Sequence, residues 1–348
     1  MQLIKDLFKK FRRNRKNNYL GLDIGSYSIK LAEISYNQDI PVLQSFGQAK
    51  TFENTIINKI INDTALLKSN FQNLVNNLQP LSNMIFYALP YELTIFGNFS
   101  LPNPEALQEI EKEINNEIPY KLEDVYYSYF IFPEKDNFKV YFLVAKKDNM
   151  DRLKDILHEV NYSIVNINAD FIILHNFIEY LYGPEEKAII DWGNEKVKIH
   201  FTNKDTPFFT RELFKLGFKH IKNEIINQLK LTPDIAEKYL HKPPEDDKGL
   251  KVKEIYIKYI KQLGEEIKTS VDLVQRKFNI NPSVYYLIGG GALIPGIHKL
   301  LSSLLKVEFK EIRIEEKIKI SENIDPDYLK IINTKGVLAV ATAMEEFI

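Results

Sequence analysis

The sequence predicts a two-lobed α/β fold, and three observations carry that prediction. Gly21-Leu22-Asp23-Ile24-Gly25-Ser26, Asp191-Trp192-Gly193 and Gly289-Gly290-Gly291 share one grammar, an apolar run that stops at glycine or at Asp-x-Gly. With 348 residues the chain can build two lobes, each with a substantial core. The strand–turn–strand patterns at 19–35 and 187–202 resemble one another, although no repeat of fixed period runs through the chain.

The elements follow in chain order from periodicity and turn chemistry. Tyr19 to Ser35 reads as two strands around a turn at Asp23–Ser28, and Asn54 to Leu78 has helical periodicity ending before Pro80. Met84–Leu89 is a buried-strand run closed by Pro90. Leu93 to Asn168 reads as a compact α+β unit. It holds a strand at Leu93–Ser100, a helix opening at Asn103-Pro104, strands at Val125–Phe132 and Lys139–Ala145, a helix at Asp148–Val160 and a strand at Ser163–Ile167. Pro104 suits a first helical turn, where acidic Glu105 complements the helix dipole. A helix at Phe171–Tyr182 leads to Gly183-Pro184, and strands at Lys187–Asp191 and Val197–Thr202 precede Pro207 to Glu212. Helices at His220–Leu229 and Pro233–Leu240 are followed by a surface loop from Lys242 to Gly249 and a long helix at Val252–Phe278. The strand Val284–Ile288, a helix at Gly296–Leu305 and a last helix from about Lys335 to Glu346 complete the chain.

Composition narrows the function classes. A net charge of −1 provides no whole-protein field to attract nucleic acid, so no nucleic-acid partner is expected. The absence of cysteine excludes disulfides and thiolate chemistry and fits a reducing cytoplasm. No apolar run reaches spanning length, and the six histidines show no metal-ligand spacing. Residues 1–17 differ from the rest: Ile4, Leu7, Phe8 and Phe11 share one helical face amid Lys5, Lys9, Lys10, Arg12, Arg13, Arg15 and Lys16. Such a segment reads equally as a peripheral contact to an anionic membrane or as a solubilising leader.

The three glycine-ended segments read together as parts of one nucleotide site. Glycine lets backbone N–H groups approach a phosphate closely, and a neighbouring carboxylate holds Mg²⁺ through water. Asp23 ends its strand on the side where open α/β sheets bind ligands. Gly25, Ser26, Tyr27 and Ser28 then donate to phosphate, and Lys30 reaches the terminal phosphate. Alone, this segment reads as an ordinary β-turn with an Asx cap. Asp191 and Gly193 form a matching turn, but Trp192 and Asn194-Glu195-Lys196 stand where small hydroxyl residues would donate. Trp192 is expected in the core and Glu195 in solvent. Gly289, Gly290 and Gly291 can admit a flat purine or form a tight strand-to-helix connection, and three consecutive glycines exceed what packing needs. The aromatic run Tyr126, Tyr127, Tyr129, Phe130, Phe132 is sheet core or, where exposed, a partner surface.

These segments resemble the actin-like ATPase superfamily and, within it, the PilM family of type IV pilus assembly proteins. The resemblance spans nearly the whole chain from Tyr19. It rests on Gly21 to Ile34, Glu117-Ile118-Pro119-Tyr120-Lys121 to Val125, Phe209 to Leu213, and Gly289 to Gly296. It implies a bilobal actin-like ATPase fold, two related βαβ lobes with an inserted α+β subdomain in the first. Residues 1–18 are then a basic amphipathic leader, 19–92 and 169–185 the first lobe, 93–168 the insert and 186–348 the second lobe. It further implies ATP and Mg²⁺ as cofactors. Asp23, Gly25, Ser26, Tyr27, Ser28 and Lys30 belong to the first phosphate turn. Asp191, Gly193 and Asn194 belong to the second, Glu237 contacts ribose, and Gly289–Gly291 with Leu293 hold adenosine. Asp23 and Asp191 hold the metal through water. The implied partners are the cytoplasmic tail of a PilN-like bitopic membrane protein, docked beside the insert, and other pilus assembly components, at the inner face of the membrane. The departure at Trp192 and Asn194–Lys196 points to binding with weak or absent hydrolysis. The alternatives on this fold are a small-molecule kinase and an FtsA-like filament protein. FtsA anchors through a carboxyl-terminal amphipathic helix, whereas here the chain stops at Ile348 directly after its last predicted helix.

Overall fold

The computed structural model describes residues 18–348 except 103, 134–136 and 204–205 and, at 104–105, the backbone alone. The basic segment 1–17 and the Asn103 of the predicted helix start lie outside the described residues.

The chain begins with an antiparallel meander, β1 (Tyr19–Ile24), β2 (Ser28–Asn37) and β3 (Ile40–Lys50). The last strand falls in a stretch to which local pattern assigned no element. The helix read over Asn54–Leu78 is only α1 (Thr64–Leu78), preceded by a small hairpin of β4 (Ile56–Ile57) and β5 (Ile60–Ile61). Two residues account for the shortening. Asn58 and Lys59 take positive φ, as a two-residue hairpin turn demands, and the Asp63 side chain accepts the Leu66 N–H at 2.9 Å, starting the helix there. Asp63→Ala is expected to lower stability by about 1 kcal/mol in urea titration.

β6 (Met84–Leu89) then runs parallel beside β1, the crossover being supplied by α1. β7 (Thr94–Leu101), α2 (Ile110–Glu117), β8 (Val125–Pro133) and β9 (Phe138–Lys146) form a separate unit with its own sheet, ordered β7-β9-β8. α3 (Lys147–His158) and β10 (Ser163–Ala169) follow. The sequence places both in the inserted unit, whereas in the structure β10 is the edge strand of the first sheet and α3 packs on that sheet's outer face. The main sheet reads β10-β6-β1-β2-β3-β16, where β16 is Lys319–Ile320.

After α4 (Asp170–Tyr182) the second sheet repeats the first: β11 (Lys187–Trp192), β12 (Val197–Thr202) and β13 (Pro207–Leu213) make a meander. α5 (Phe218–Leu229), α6 (Pro233–His241) and α7 (Asp247–Phe278) cross over to β14 (Val284–Gly289), parallel to β11. α7 begins five residues earlier than periodicity indicated, because Asp246 caps it by accepting the Gly249 N–H. α8 (Ile297–Leu305), β15 (Phe309–Lys310), α9 (Leu329–Ile332) and α10 (Val337–Ala343) complete the fold, giving the order β13-β12-β11-β14-β15.

Five layers result. α4 and α10 lie between the two sheets in one apolar cluster that takes Ile34 and Phe46 from the first sheet and Ile189 and Tyr286 from the second. α4 is apolar around most of its circumference, as a helix buried on all sides must be. α1 and α3 cover the outer face of the first sheet, and α5–α8 that of the second. Residues 319–348, assigned to the second lobe by sequence, thus pack in large part on the first. Among the described residues, no helix is long and apolar enough to cross a membrane.

Candidate functional site

Between the two sheets, at the carboxyl ends of β1, β6, β11 and β14, the structure holds a cavity of about 1150 Å³. Ligands of open α/β sheets bind at such strand ends. Thirteen of the predicted residues line it: Asp23, Gly25, Ser26, Tyr27, Ser28, Lys30, Asp191, Gly193, Asn194, Glu237, Gly289, Gly290 and Leu293. Gly291 does not. A Cβ there would fall 2.4 Å from the Trp192 ring, so its lack of a side chain serves packing. Gly289 is also fixed by structure, with φ of +81° and a Cβ position 2.7 Å from Asp191 Oδ1. Packing therefore accounts for two of the three glycines. Only Gly290 presents open backbone to the cavity, its nearest side chain being Phe218 at ordinary contact distance.

The two Asp-containing turns are built alike. Gly25 N–H donates to Ser28 O, and Gly193 N–H donates to Lys196 O, each at 3.1 Å. The strands then place Asp23 opposite Lys30 and Asp191 opposite Lys198. The equivalent lysines have different partners. Lys30 Nζ pairs with its own Asp23 at 2.7 Å. Lys198 Nζ lies 3.9 Å from Asp191 but 2.5 Å from Asp170 and 3.7 Å from Glu92. Burial pulls its ammonium down, yet Asp170, Glu92 and Asp191 together hold it well above its ordinary range. Trp192 is in the core as expected, its indole N–H donating to Leu216 O at 2.8 Å. Glu195 is half-buried at the cavity wall and not fully in solvent.

At the other end, Tyr27 from the first lobe donates its hydroxyl to Glu237 Oε1 of α6 at 2.7 Å, closing the cleft mouth. Lys222 takes Oε2 at 2.7 Å, and His241 Nε2 lies 3.2 Å from the same hydroxyl. Burial raises the Glu237 carboxyl, but the hydrogen bonds from Lys222 and Tyr27 overcome it and hold the group down at about 2. It is a fixed anion spanning the lobes.

The wall carries nine lysines against seven carboxylates. Lys335, beside Gly290 and over the Tyr27 ring, is pushed below its ordinary range by burial and by repulsion from Lys30. Two ammonium groups that repel at the wall of a cavity favour an anionic occupant. For a metal, no three His, Asp or Glu side chains among the described residues stand close enough to hold a bare ion. Asp23 and Asp191, on facing turns, fit instead the outer sphere of a hydrated Mg²⁺, which keeps most of its waters.

Sequence reasoning missed Lys198, Asp170, Glu92, Lys222 and Lys335. A signal existed for Lys198 alone, since it follows Asp191 at the spacing by which Lys30 follows Asp23.

A profile described as type IV pilus assembly protein PilM matches residues 21–347. No curated protein sequence matches the chain. Among solved structures, it is similar to a PilM–PilN type IV pilus biogenesis complex at a TM-score of 0.81 and 19% identity, over 95% of this chain and 99% of that one. It is also similar to the ethanolamine utilization protein EutJ from Carboxydothermus hydrogenoformans (0.54, 13%, 98% and 96%). MreB5 of Spiroplasma citri bound to AMPPNP gives 0.52 at 10% identity, over 92% and 95%. The mirrored sheets around a central cleft are thus the actin-like ATPase fold, and with a profile match along almost its whole length the chain belongs to the PilM family of type IV pilus assembly proteins.

Proposed function

We propose that this protein binds ATP with Mg²⁺ in the cleft and acts as a cytoplasmic scaffold of type IV pilus assembly. It recruits the cytoplasmic tail of a PilN-like bitopic membrane protein at the inner face of the membrane. The observation that carries the nucleotide reading is the convergence of three distant turns on one cavity whose Lys30 and Lys335 repel each other. The nucleotide-bound state of MreB5 supports it, as the PilM–PilN complex supports the partner. Asp23 and Asp191 would hold the hydrated metal, which supplies charge neutralisation for the phosphates. Lys30 and Lys335 would contact phosphate, and Gly290 and Leu293 the base.

Hydrolysis is weak or absent in this reading. Asp170 is the deeply buried carboxylate at the cleft wall, and Lys198 occupies it. For the partner, β8 is an edge strand that exposes Tyr126, Tyr129, Phe130, Ile131 and Phe132. An apolar edge of this kind suits an extended peptide tail beside the insert. Nucleotide would control lobe closure through the Tyr27–Glu237 bond, and residues 1–17 would add a peripheral membrane contact.

The test is calorimetric titration with a synthetic PilN-like tail, with and without ATP–Mg²⁺, alongside Trp192 emission as a report of nucleotide. Micromolar peptide binding and an ATP-dependent change in emission are expected. Lys335→Met should weaken ATP by roughly 10- to 150-fold, one charge-assisted hydrogen bond being worth about 1.5–3 kcal/mol. It should not lower thermal stability, because the lost ammonium is a repelled one. ATP binding without peptide binding would overturn the scaffold reading, and the reverse would overturn the nucleotide reading.

A further inference from the structure

The base of the inserted sheet meets both lobes at one point. The chain enters that sheet through the turn Tyr91–Leu93, whose Tyr91 N–H donates to Asp170 Oδ1 at 3.1 Å. Asp170 opens α4, and the next residue, Phe171, packs edge-on against Tyr91 and Phe96 of the insert. From the second lobe, β12 and the turn before it bring Lys198 and Lys196 to the same place, 3.7 and 3.3 Å from the Glu92 carboxylate. Insert, first lobe and second lobe are therefore joined by charge at the cleft wall.

The arms of this junction are unequal. Lys198 grips Asp170 at 2.5 Å in a hydrogen-bonded pair. The Glu92 oxygens make no hydrogen bond to another residue among those described, and what reaches them from other residues is the attraction of Lys196, Lys198 and Lys59. An anion drawn toward Lys198 competes with both carboxylates, and the looser arm yields first. A ligand can shift a conformational equilibrium only by interacting differently with its two states. Here the difference is one ammonium shared between the insert and the cleft.

We propose that Lys198 is a positioning residue that reports an anion in the cleft to the inserted subdomain, by loosening its hold on Glu92 when the terminal phosphate of a nucleotide approaches. This rests on the nucleotide reading above. The relay changes the seating of β7 and β9 on Phe171, and so the partner surface carried by that sheet.

Hydrogen exchange of the full chain tests it, with no ligand, with ADP and with ATP, in wild type, Glu92→Gln and Asp170→Asn. ATP binding is followed independently by Trp192 emission. In wild type, ATP should change amide exchange at 94–101 and 138–146 at least threefold, and ADP less. In Glu92→Gln, ATP should still alter Trp192 emission while the exchange change is lost. Asp170→Asn, which frees Lys198 from its tighter partner, should enlarge the change, and serves if Glu92→Gln does not fold. An ATP effect in Glu92→Gln equal to wild type, or none in wild type with ATP bound, overturns the relay alone. Failure of ATP to bind at all overturns the nucleotide reading and the relay with it.

Discussion

Replacing Lys198 by methionine is expected to destabilise the folded protein by about 3–5 kcal/mol, the usual cost of leaving a buried charge unpaired. Methionine keeps most of the volume, so the loss reports charge and not a cavity. Asp170 is buried and would lose its only close cation among the described residues, while Glu92 would keep Lys196. Urea unfolding measures the loss. Adding Asp170→Leu to Lys198→Met should recover most of it, because removing both members of a buried pair is far cheaper than removing one. A loss under about 1 kcal/mol in the single variant would mean that the ion pair is solvated, contrary to its burial. The acid side gives a second check. Burial raises the Glu92 carboxyl, but Lys198, Lys59 and Lys196 lower it further, from 4.5 to about 2. Its folded value lies below its unfolded one, so its contribution is fully present above pH 4.5 and is lost as pH falls toward 2. That part of the acid-side slope should shrink in Lys198→Met.

Gly21→Val is expected to be at least as damaging, roughly 4 kcal/mol or more, since single changes of that size arise where a side chain has no room. Gly21 opens the first motif, yet the cavity is not what constrains it. A Cβ there would sit 1.9 Å from Ala339 O and 2.4 Å from Ala343 N, both backbone atoms of α10 or its end. Neither can turn aside, so β1 and α10 would have to separate. That separation opens the central apolar layer, which α10 shares with α4 and both sheets. Thermal unfolding should show the loss, and near-ultraviolet dichroism should show altered packing. If Gly21→Val unfolded like wild type, β1 and α10 would not be in the contact described. Gly290→Ala gives the contrast: its Cβ meets nothing nearer than 3.5 Å, so stability should change little.

The regular elements were legible because their causes are local. An apolar run marked each of β1, β11 and β14, and the Asp-x-Gly stops marked the turns that follow the first two. Trp192 announced a core position by type alone. The superfamily was legible from Gly21 to Ile34 and Gly289 to Gly296, and the family within it from the Ile118-Pro119-Tyr120 segment and the insertion. What lay beyond a dozen residues was not readable. β3 carries Pro41 and mixed burial and became a strand only by pairing along β2 and β16. β10 is a first-sheet strand because β6 accepts it, and nothing in Ser163–Ala169 names that partner.

The site divides the same way. The turns at Asp23 and Asp191 and the glycines at 289–291 were determined by sequence, since a β-turn and a positive φ are properties of three or four residues. Which of those glycines faces the cavity, and which ammonium neutralises which carboxylate, was decided only by tertiary structure. Lys30 and Lys198 stand at the same register in equivalent hairpins, yet one pairs within its own lobe and the other across to Asp170 and Glu92. Ion pairs are set by distance and burial, and the chain brings Glu92, Asp170 and Lys198 together only when both lobes and the insert have packed.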